Sequence, residues 1–309
     1  MGFVRRSKVY RIHHEPVLGT VFTAKIVARS QAAADEIERC LLSEVDRLEA
    51  IFSVYNAASE LNQWKRGEVE AGPELSTLLS EAATWQRVSG GVFNPAVGVI
   101  SARWRQAEAD QTLPEAAELA TLVTAISTVG YAAGSGAHEL AGLNFNAFAK
   151  GRVVDLATTF AHRLGKHDLL VNIGGDLRHI GRSPVVVGVE DPNRAYDNVE
   201  PFTAVELCNQ GMATSGLARR GFRIDGRWFS HVIDPRTGWP VNHVTSASVV
   251  ASDAATADAL ATVLSVLPAE EGFAWLAMHH PSASACVIDS DAVVHTNAAW
   301  DEISRPTST

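Results

Sequence analysis

The sequence predicts an α+β fold: mixed and antiparallel sheets packed by helices, in one two-lobed domain spanning residues 1–309. Three observations point there. Helix-period and strand-like runs follow one another without strict βα alternation. Hairpin-type turns recur, as at Asp225-Gly226 and around Asp289-Ser290-Asp291. Finally, 309 residues with 46% apolar and 20% charged content suit one large core, and no repeat, low-complexity tract or linker divides the chain.

The elements follow in order. Residues 18–28 alternate as a strand that Gly19 opens. Residues 32–52 form a helix with Ile37, Cys40, Leu41, Val45, Leu48, Ile51 and Phe52 on its inner stripe, Cys40 being counted with the core. A second helix covers roughly 74–88, turned inward through Leu75, Leu78, Leu79, Ala82 and Trp85. Ser89-Gly90-Gly91-Val92-Phe93-Asn94-Pro95 is a loop able to approach a ligand closely. Residues 99–111 carry no clear assignment. Thr112 to Glu115 reads as a capping box for a helix reaching about residue 125. Residues 129–142 are Gly-rich, a loop and hairpin. From 143 the chain reads as strand end, turn and a helix that Gly165 ends, with Val153, Leu156, Ala157, Phe160 and Leu164 inward. A buried strand at 169–173 meets Gly174-Gly175-Asp176. Strands follow at 184–190, 203–207, 220–233 and in the TSASVV run, then helices near 255–266 and 269–278, then strands near 284–288 and 292–296.

The net charge of −9 and the lack of a basic block argue against general binding to nucleic acid or an anionic membrane. Three scattered cysteines suggest a reducing compartment. Neither a signal peptide nor a transmembrane run is seen, so the cytoplasm is expected.

Chemistry-bearing residues concentrate between 229 and 262. Asp258 and Thr262 lie four apart, so on a helix they share a face and offer two hard oxygens to a small divalent cation. The plain alternative is surface decoration, Asp258 being an early-turn charge. His231, beside Ser230 and just before Asp234-Pro235-Arg236-Thr237-Gly238, is either a structural histidine or a base near neutrality. Lys150 opens a helix, where the dipole disfavours a cation; it is a solvated lysine or the partner of a bound anion. Common nucleotide-binding signatures, Gly-x-Gly-x-x-Gly after a strand and Walker A, do not occur.

Together these runs resemble the ApbE-type FAD:protein FMN transferases. The matching segments are LGT at 18–20, SVYNAASELNQW at 53–64, SGGVFNPAVG at 89–98, AKGRVVD at 149–155, NIGGD at 172–176, ATSG at 213–216, FSHVIDPRTGWPV at 229–241 and ADALAT at 257–262. They cover roughly 17–267 in the right order. The resemblance implies a T-fold-like α+β domain holding FAD between its lobes. It implies FAD contacts at Leu18, Tyr55, Val92, Phe93, Asn94, Asn144, Lys150 and Ile233, with Phe93 and Tyr55 suited to pack on flat rings. It implies a Mg²⁺ site from the Ala147 carbonyl, Asp258 and Thr262, with His231 as base. FMN would pass from FAD to a Ser or Thr hydroxyl of an acceptor flavoprotein, in a short motif of small residues with an Asp, and AMP would leave.

The sequence departs from the family pattern at Asn144-Phe145-Asn146-Ala147-Phe148, where many members carry Asp-Leu-Gly-Gly-Ile, and at Leu18, often Met. Those changes keep two alternatives open: an FAD-binding protein without transfer, and a Mg²⁺-dependent FAD pyrophosphatase giving FMN and AMP.

Overall fold

A computed structural model describes residues 7–130, 142–145, 148–165, 167–192, 200–216 and 221–305. The chain opens with a hairpin: β1 (Lys8–Val17) pairs antiparallel with β2 (Thr20–Ala28). The expected single strand over 18–28 is therefore the second arm of this hairpin. Leu18 and Gly19 form its turn, with φ of 50° and 70°. Glycine adopts that conformation freely; leucine at φ 50° is strained by about 1 kcal/mol.

Helix α1 (Gln31–Phe52) is capped by Ser30, whose hydroxyl accepts the Ala33 N–H at 3.2 Å. Ala34, Ile37, Leu41, Val45, Leu48 and Phe52 form its buried stripe, at the spacing the sequence gives. Cys40, expected in the core, lies one step off that stripe and is half-buried.

A short α2 (Glu60–Lys65) follows, then α3 (Pro73–Val88), a 3₁₀ turn at Pro95–Val97, α4 (Gly98–Asp110) and α5 (Ala116–Ser127). Helix α4 fills the stretch left unassigned, burying Ile100, Trp104 and Ala107. The expected capping box at 112–115 is not formed: Glu115 is the N-cap and makes no side-chain cap bond. Most of the Gly-rich 129–142 run lies outside the described residues.

Helix α6 (Ala149–Gly165) buries Val153, Val154, Ala157 and Ala161. Phe160 and Leu164, expected on its inner face, are 43% and 55% exposed. The true face includes Gly151, where α6 approaches α7 closely.

Then come β3 (Leu169–Ile173), β4 (Asp176–Ile180), β5 (Val185–Val189), β6 (Thr203–Leu207), β7 (Gly211–Gly216), β8 (Gly221–Ile224), β9 (Arg227–Ser230) and β10 (Val244–Ala251). The chain closes with α7 (Ala254–Val266), α8 (Ala269–His279), β11 (Ser284–Asp289), β12 (Val294–Thr296), α9 (Ala298–Ile303) and β13 (Ser304–Arg305). Among the described residues an antiparallel sheet runs in the order β1-β2-β3-β4-β7-β10-β11-β12. A small sheet, β13-β6-β5, and the isolated pair β8-β9 stand apart from it.

The large sheet is covered on both faces. Helices α1, α6 and α7 pack on one, against Phe22, Ile26, Val171 and Ile173. The β13-β6-β5 sheet and Trp300 of α9 cover the other, against Leu170, Met212, Val250 and Cys286. Two-sided burial explains why β10 is almost wholly buried instead of alternating. Among the described residues no helix is long and apolar enough to cross a membrane.

Candidate functional site

Two helix starts and one tight turn meet at the centre of the site. Lys150 lies in the first turn of α6, and its Nζ donates to Oδ2 of Asp176 at 2.6 Å. Asp176, 2% exposed, opens β4 after Gly174 and Gly175, whose φ values of 61° and 99° require glycine. The Gly175 N–H donates to Asn172 Oδ1 at 2.9 Å and fixes the turn. The Leu18-Gly19 turn is its neighbour, since Gly174 N–H donates to the Val21 carbonyl at 3.0 Å.

Asp258 comes from α7. It is 8% exposed, and the nearby Gly151 main-chain N–H favours its ionised form. A side chain at Gly151 would meet the Ala254 carbonyl oxygen at 2.6 Å, so α6 and α7 cross here only because position 151 is glycine. Asp155, one turn along α6, accepts the N–H groups of Ala254 and Ala255 at 2.9 Å each and clamps the α7 N-terminus. Asp253 caps the same end, accepting the Thr256 N–H at 2.8 Å.

Asp258 therefore faces another acid in a buried setting. Burial pushes its carboxyl well above the usual carboxylate range, and the negative charge of Asp176 adds to this; Lys150 and the Gly151 N–H pull the other way. Burial likewise raises Asp176, against the pull of Lys150. Oδ2 of Asp258 is buried and has no hydrogen-bond partner among the described residues. Such an oxygen is costly unless something electropositive occupies it. Thr262 lies one turn further on, half-buried, on the same side of α7. This hard-oxygen set fits a small divalent cation such as Mg²⁺. Ala147, the expected third ligand, lies outside the described residues.

The second wall is the segment after β9. Ser230 is buried, and its Oγ accepts the Val232 N–H at 2.9 Å. His231 follows, half-buried. Ile233, 5% exposed, bridges Pro240 and closes the 234–238 turn. Within that turn Gly238 N–H donates to the Asp234 carbonyl at 2.8 Å, and Asp234 also binds the Arg236 side chain. Trp104 of α4 anchors it through an Nε1–H bond of 2.8 Å to the Gly238 carbonyl.

The glycine loop lies beside this turn. Gly90, Gly91 and Asn94 share a cleft of about 470 Å³ with Pro235 and Arg236. Asn94 caps the 3₁₀ turn, accepting the Ala96 N–H at 2.9 Å and donating to the Ile126 carbonyl at 3.2 Å. Val92 and Phe93 are 4% and 2% exposed. The Phe93 ring packs edge-on to Phe148 with centroids 6.3 Å apart, so it belongs to the core and offers no free face for a flat ring. What positions 92 and 93 can present to a ligand is main chain. Tyr55, in contrast, is 84% exposed. Asn144 is half-buried, its N–H donating to the Pro95 carbonyl at 2.8 Å, which ties its segment to the glycine loop. Lys65 holds the same segment from α2, donating to the Leu143 carbonyl at 2.6 Å.

The structure thus joins Lys150 with Asp258, and Asn94 with the turn that follows Ile233. Asp176 and Asp155 were not singled out from their spacing. Asp176 had a weak signal, its Gly-Gly turn; Asp155 had none, because its partners lie 99 and 100 residues away.

A model of the ApbE family matches residues 18–287. The chain belongs to the ApbE family. The FAD:protein FMN transferase of Treponema pallidum is 30% identical over 319 residues, covering 92% of this chain and 86% of its own. That of Haemophilus influenzae is 29% identical over 276 residues, covering 81% and 78%. Among solved structures, the flavinyl transferase ApbE of Pseudomonas stutzeri has a TM-score of 0.77 at 25% identity, covering 98% of both chains. The ApbE protein of Thermotoga maritima has a TM-score of 0.79 at 23% identity, covering 96% of this chain and 100% of its own. The expected α+β architecture is the ApbE fold.

Proposed function

We propose that this ApbE-family chain transfers FMN from FAD to a Ser or Thr hydroxyl of an acceptor flavoprotein, with AMP as the leaving group. The observation that carries the reading is the buried Asp258 oxygen, unpartnered among the described residues, beside the Lys150–Asp176 pair, on the fold of an enzyme family whose relatives bear that activity's name.

The acceptor oxygen bonds to the FMN-side phosphorus, and the bond from that phosphorus to the bridging oxygen breaks. The electron pair leaves with AMP. His231 takes the hydroxyl proton; the half-buried imidazole on the short segment between β9 and the 234–238 turn is suited to general-base work. Lys150, fixed by Asp176, sets positive charge at the start of α6, where main-chain N–H groups already favour an anion. Asp258 and Thr262, with Ala147, would hold Mg²⁺, which when bound neutralises diphosphate charge and stabilises the leaving phosphate. Leu18, Tyr55, Asn94, Asn144, Ile233 and the main chain at Val92 and Phe93 line the flavin's place, Tyr55 covering a flat ring. Three unpaired thiols, Cys40, Cys208 and Cys286, support a reducing, cytoplasmic setting.

The test is incubation of the protein with FAD, Mg²⁺ and a flavoprotein domain from the same genome, read as flavin fluorescence on the denatured acceptor band. Transfer by wild type and its loss in Asp258→Ala and His231→Ala, both still folded, are expected. Tight FAD binding without AMP release would favour a binding protein, and free FMN plus AMP without labelled acceptor would favour a pyrophosphatase; either outcome overturns the transferase reading.

A further inference from the structure

The β8–β9 hairpin has one sealed edge and one open edge. Its turn is Asp225-Gly226, with φ of 47° and 71°, so Ile224 and Arg227 form the hydrogen-bonded closing pair. The next pair, Arg223 with Trp228, is non-hydrogen-bonded, and its main-chain groups point outward. On the β8 side they are taken by α4 and its C-cap. Arg223 N–H donates to Glu108 Oε1 at 2.7 Å, and its carbonyl accepts from Gln111 Nε2 at 3.0 Å. On the β9 side the N–H and C=O of Trp228 meet no strand among the described residues.

The two faces differ as well. Phe222 and Phe229 pack on Trp104, with centroids 6.1 and 5.2 Å away. Arg223 and Trp228 occupy the outer face, with the guanidinium 6.0 Å from the ring centroid, and Trp228 is 49% exposed. Arg227 lies 5.2 Å from the Phe229 ring. Nearby acids are Glu108, held by the Arg223 main chain, and Asp225 in the turn. Two guanidiniums beside an open strand edge suit an acidic partner, although the whole chain is negative. Strand β9 ends at Ser230, and the next residue is His231. A strand advances about 3.3 Å per residue, so a chain laid along this edge passes from Trp228 to the base within three residues.

We propose that the outer edge of β9 is the docking strand for the acceptor. An extended segment of the partner flavoprotein adds there as a third strand, main chain to main chain at Trp228, with an acidic side chain on Arg223. Its Ser or Thr is thereby delivered to His231. This rests on the transferase reading above and adds the surface that selects the protein substrate.

The experiment measures transfer kinetics on the full chain with FAD, Mg²⁺ and an acceptor domain that wild type labels. Arg223→Glu and Trp228→Pro, the latter removing the edge N–H, should each raise the acceptor KM roughly ten-fold or more while leaving the FAD KM unchanged. An acceptor whose acidic residue is changed to Lys should recover with Arg223→Glu, a compensation that a merely structural role would not give. Acceptor KM within about two-fold of wild type in Arg223→Glu, with no such compensation, overturns the docking strand while the transferase reading stands. So does sedimentation showing that wild type dimerises and Trp228→Pro does not, because the edge then pairs with a second copy. A wild type that labels no acceptor sinks the transferase reading, and the docking strand with it.

Discussion

Nζ of Lys150 lies 2.6 Å from Oδ2 of Asp176, and the same ammonium is the positive counterweight for a second buried acid, Asp258. The Lys150 side chain is 32% exposed and that of Asp176 is 3% exposed, so the acid depends on the lysine more than the reverse. Removing the cation leaves two carboxyls in one dry pocket.

Lys150→Met should therefore destabilise the metal-free protein at pH 7 by on the order of 3 kcal/mol, the range for breaking a buried pair. Lys150→Met with Asp176→Asn should regain most of that loss. Urea unfolding of the single and double variants measures both. A single variant as stable as wild type would show that Lys150 balances no charge in the folded state.

Gly151→Ala tests the crossing of α6 and α7. The added Cβ would meet the Ala254 carbonyl oxygen at 2.6 Å and the Ala255 Cα at 2.8 Å, backbone atoms that cannot swing aside. Overpacking of this kind costs about 1–3 kcal/mol. It should also displace the Gly151 N–H from Asp258 and so weaken Mg²⁺ binding, read by isothermal titration. Unchanged stability together with unchanged Mg²⁺ affinity would refute the close crossing.

Asp155 gives a pH dependence with a defined sign. Burial pushes its carboxyl from the usual 3.8 up to about 6, against the pull of the Ala254 and Ala255 N–H groups. A folded value above the unfolded one favours the protonated native state. That stabilisation is complete below pH 3.8 and fades as the pH rises through 6. Two pH units correspond to about 3 kcal/mol at most. Relative to Asp155→Asn, which stays neutral, wild type should lose stability between these values and then level off. Thermal unfolding of both proteins across that range decides it, and a wild type that gains stability relative to Asp155→Asn as the pH rises would contradict the burial effect.

The thiols should react in order of access. Cys208 is exposed, Cys40 is half-buried, and burial pushes the Cys286 thiol up to about 12. At pH 8 roughly one Cys286 in ten thousand is a thiolate. A disulfide reagent should label Cys208 first and reach Cys286 only after denaturant is added, as peptide mapping would reveal. Early labelling at Cys286 would mean that β11 is not packed beneath Trp300.

Regular patterns were legible in the sequence. Helix α1 has an unbroken apolar stripe, β3 is a continuous apolar run, and Asp258 and Thr262 sit at helical spacing on α7. Short or mixed segments were not. Strands β4 and β7, reading DLRHI and GMATSG, owe their place to their neighbours in the sheet and not to their own alternation. Phe160 shares the apolar spacing of Val153, Leu156 and Ala157, yet it is exposed, and α6 turns Gly151 to the helix that comes close. Phe93 looked like a platform for a ring and is a core side chain. The role of Asp155 could not be read locally, since both its partners come from the far end of a chain segment of 99 and 100 residues.

That separation bears on when the protein could first take up the proposed cation. The pocket needs Gly151 and Asp155 from one helix and the start of another, brought together by closing a loop of about a hundred residues. A nascent chain that has emerged only as far as α6 lacks Asp258, the acid proposed to accept the ion. On the proposed Mg²⁺ site, uptake would wait for the carboxy-terminal third, which would make the ion a late guest of a finished scaffold and not a seed for its assembly.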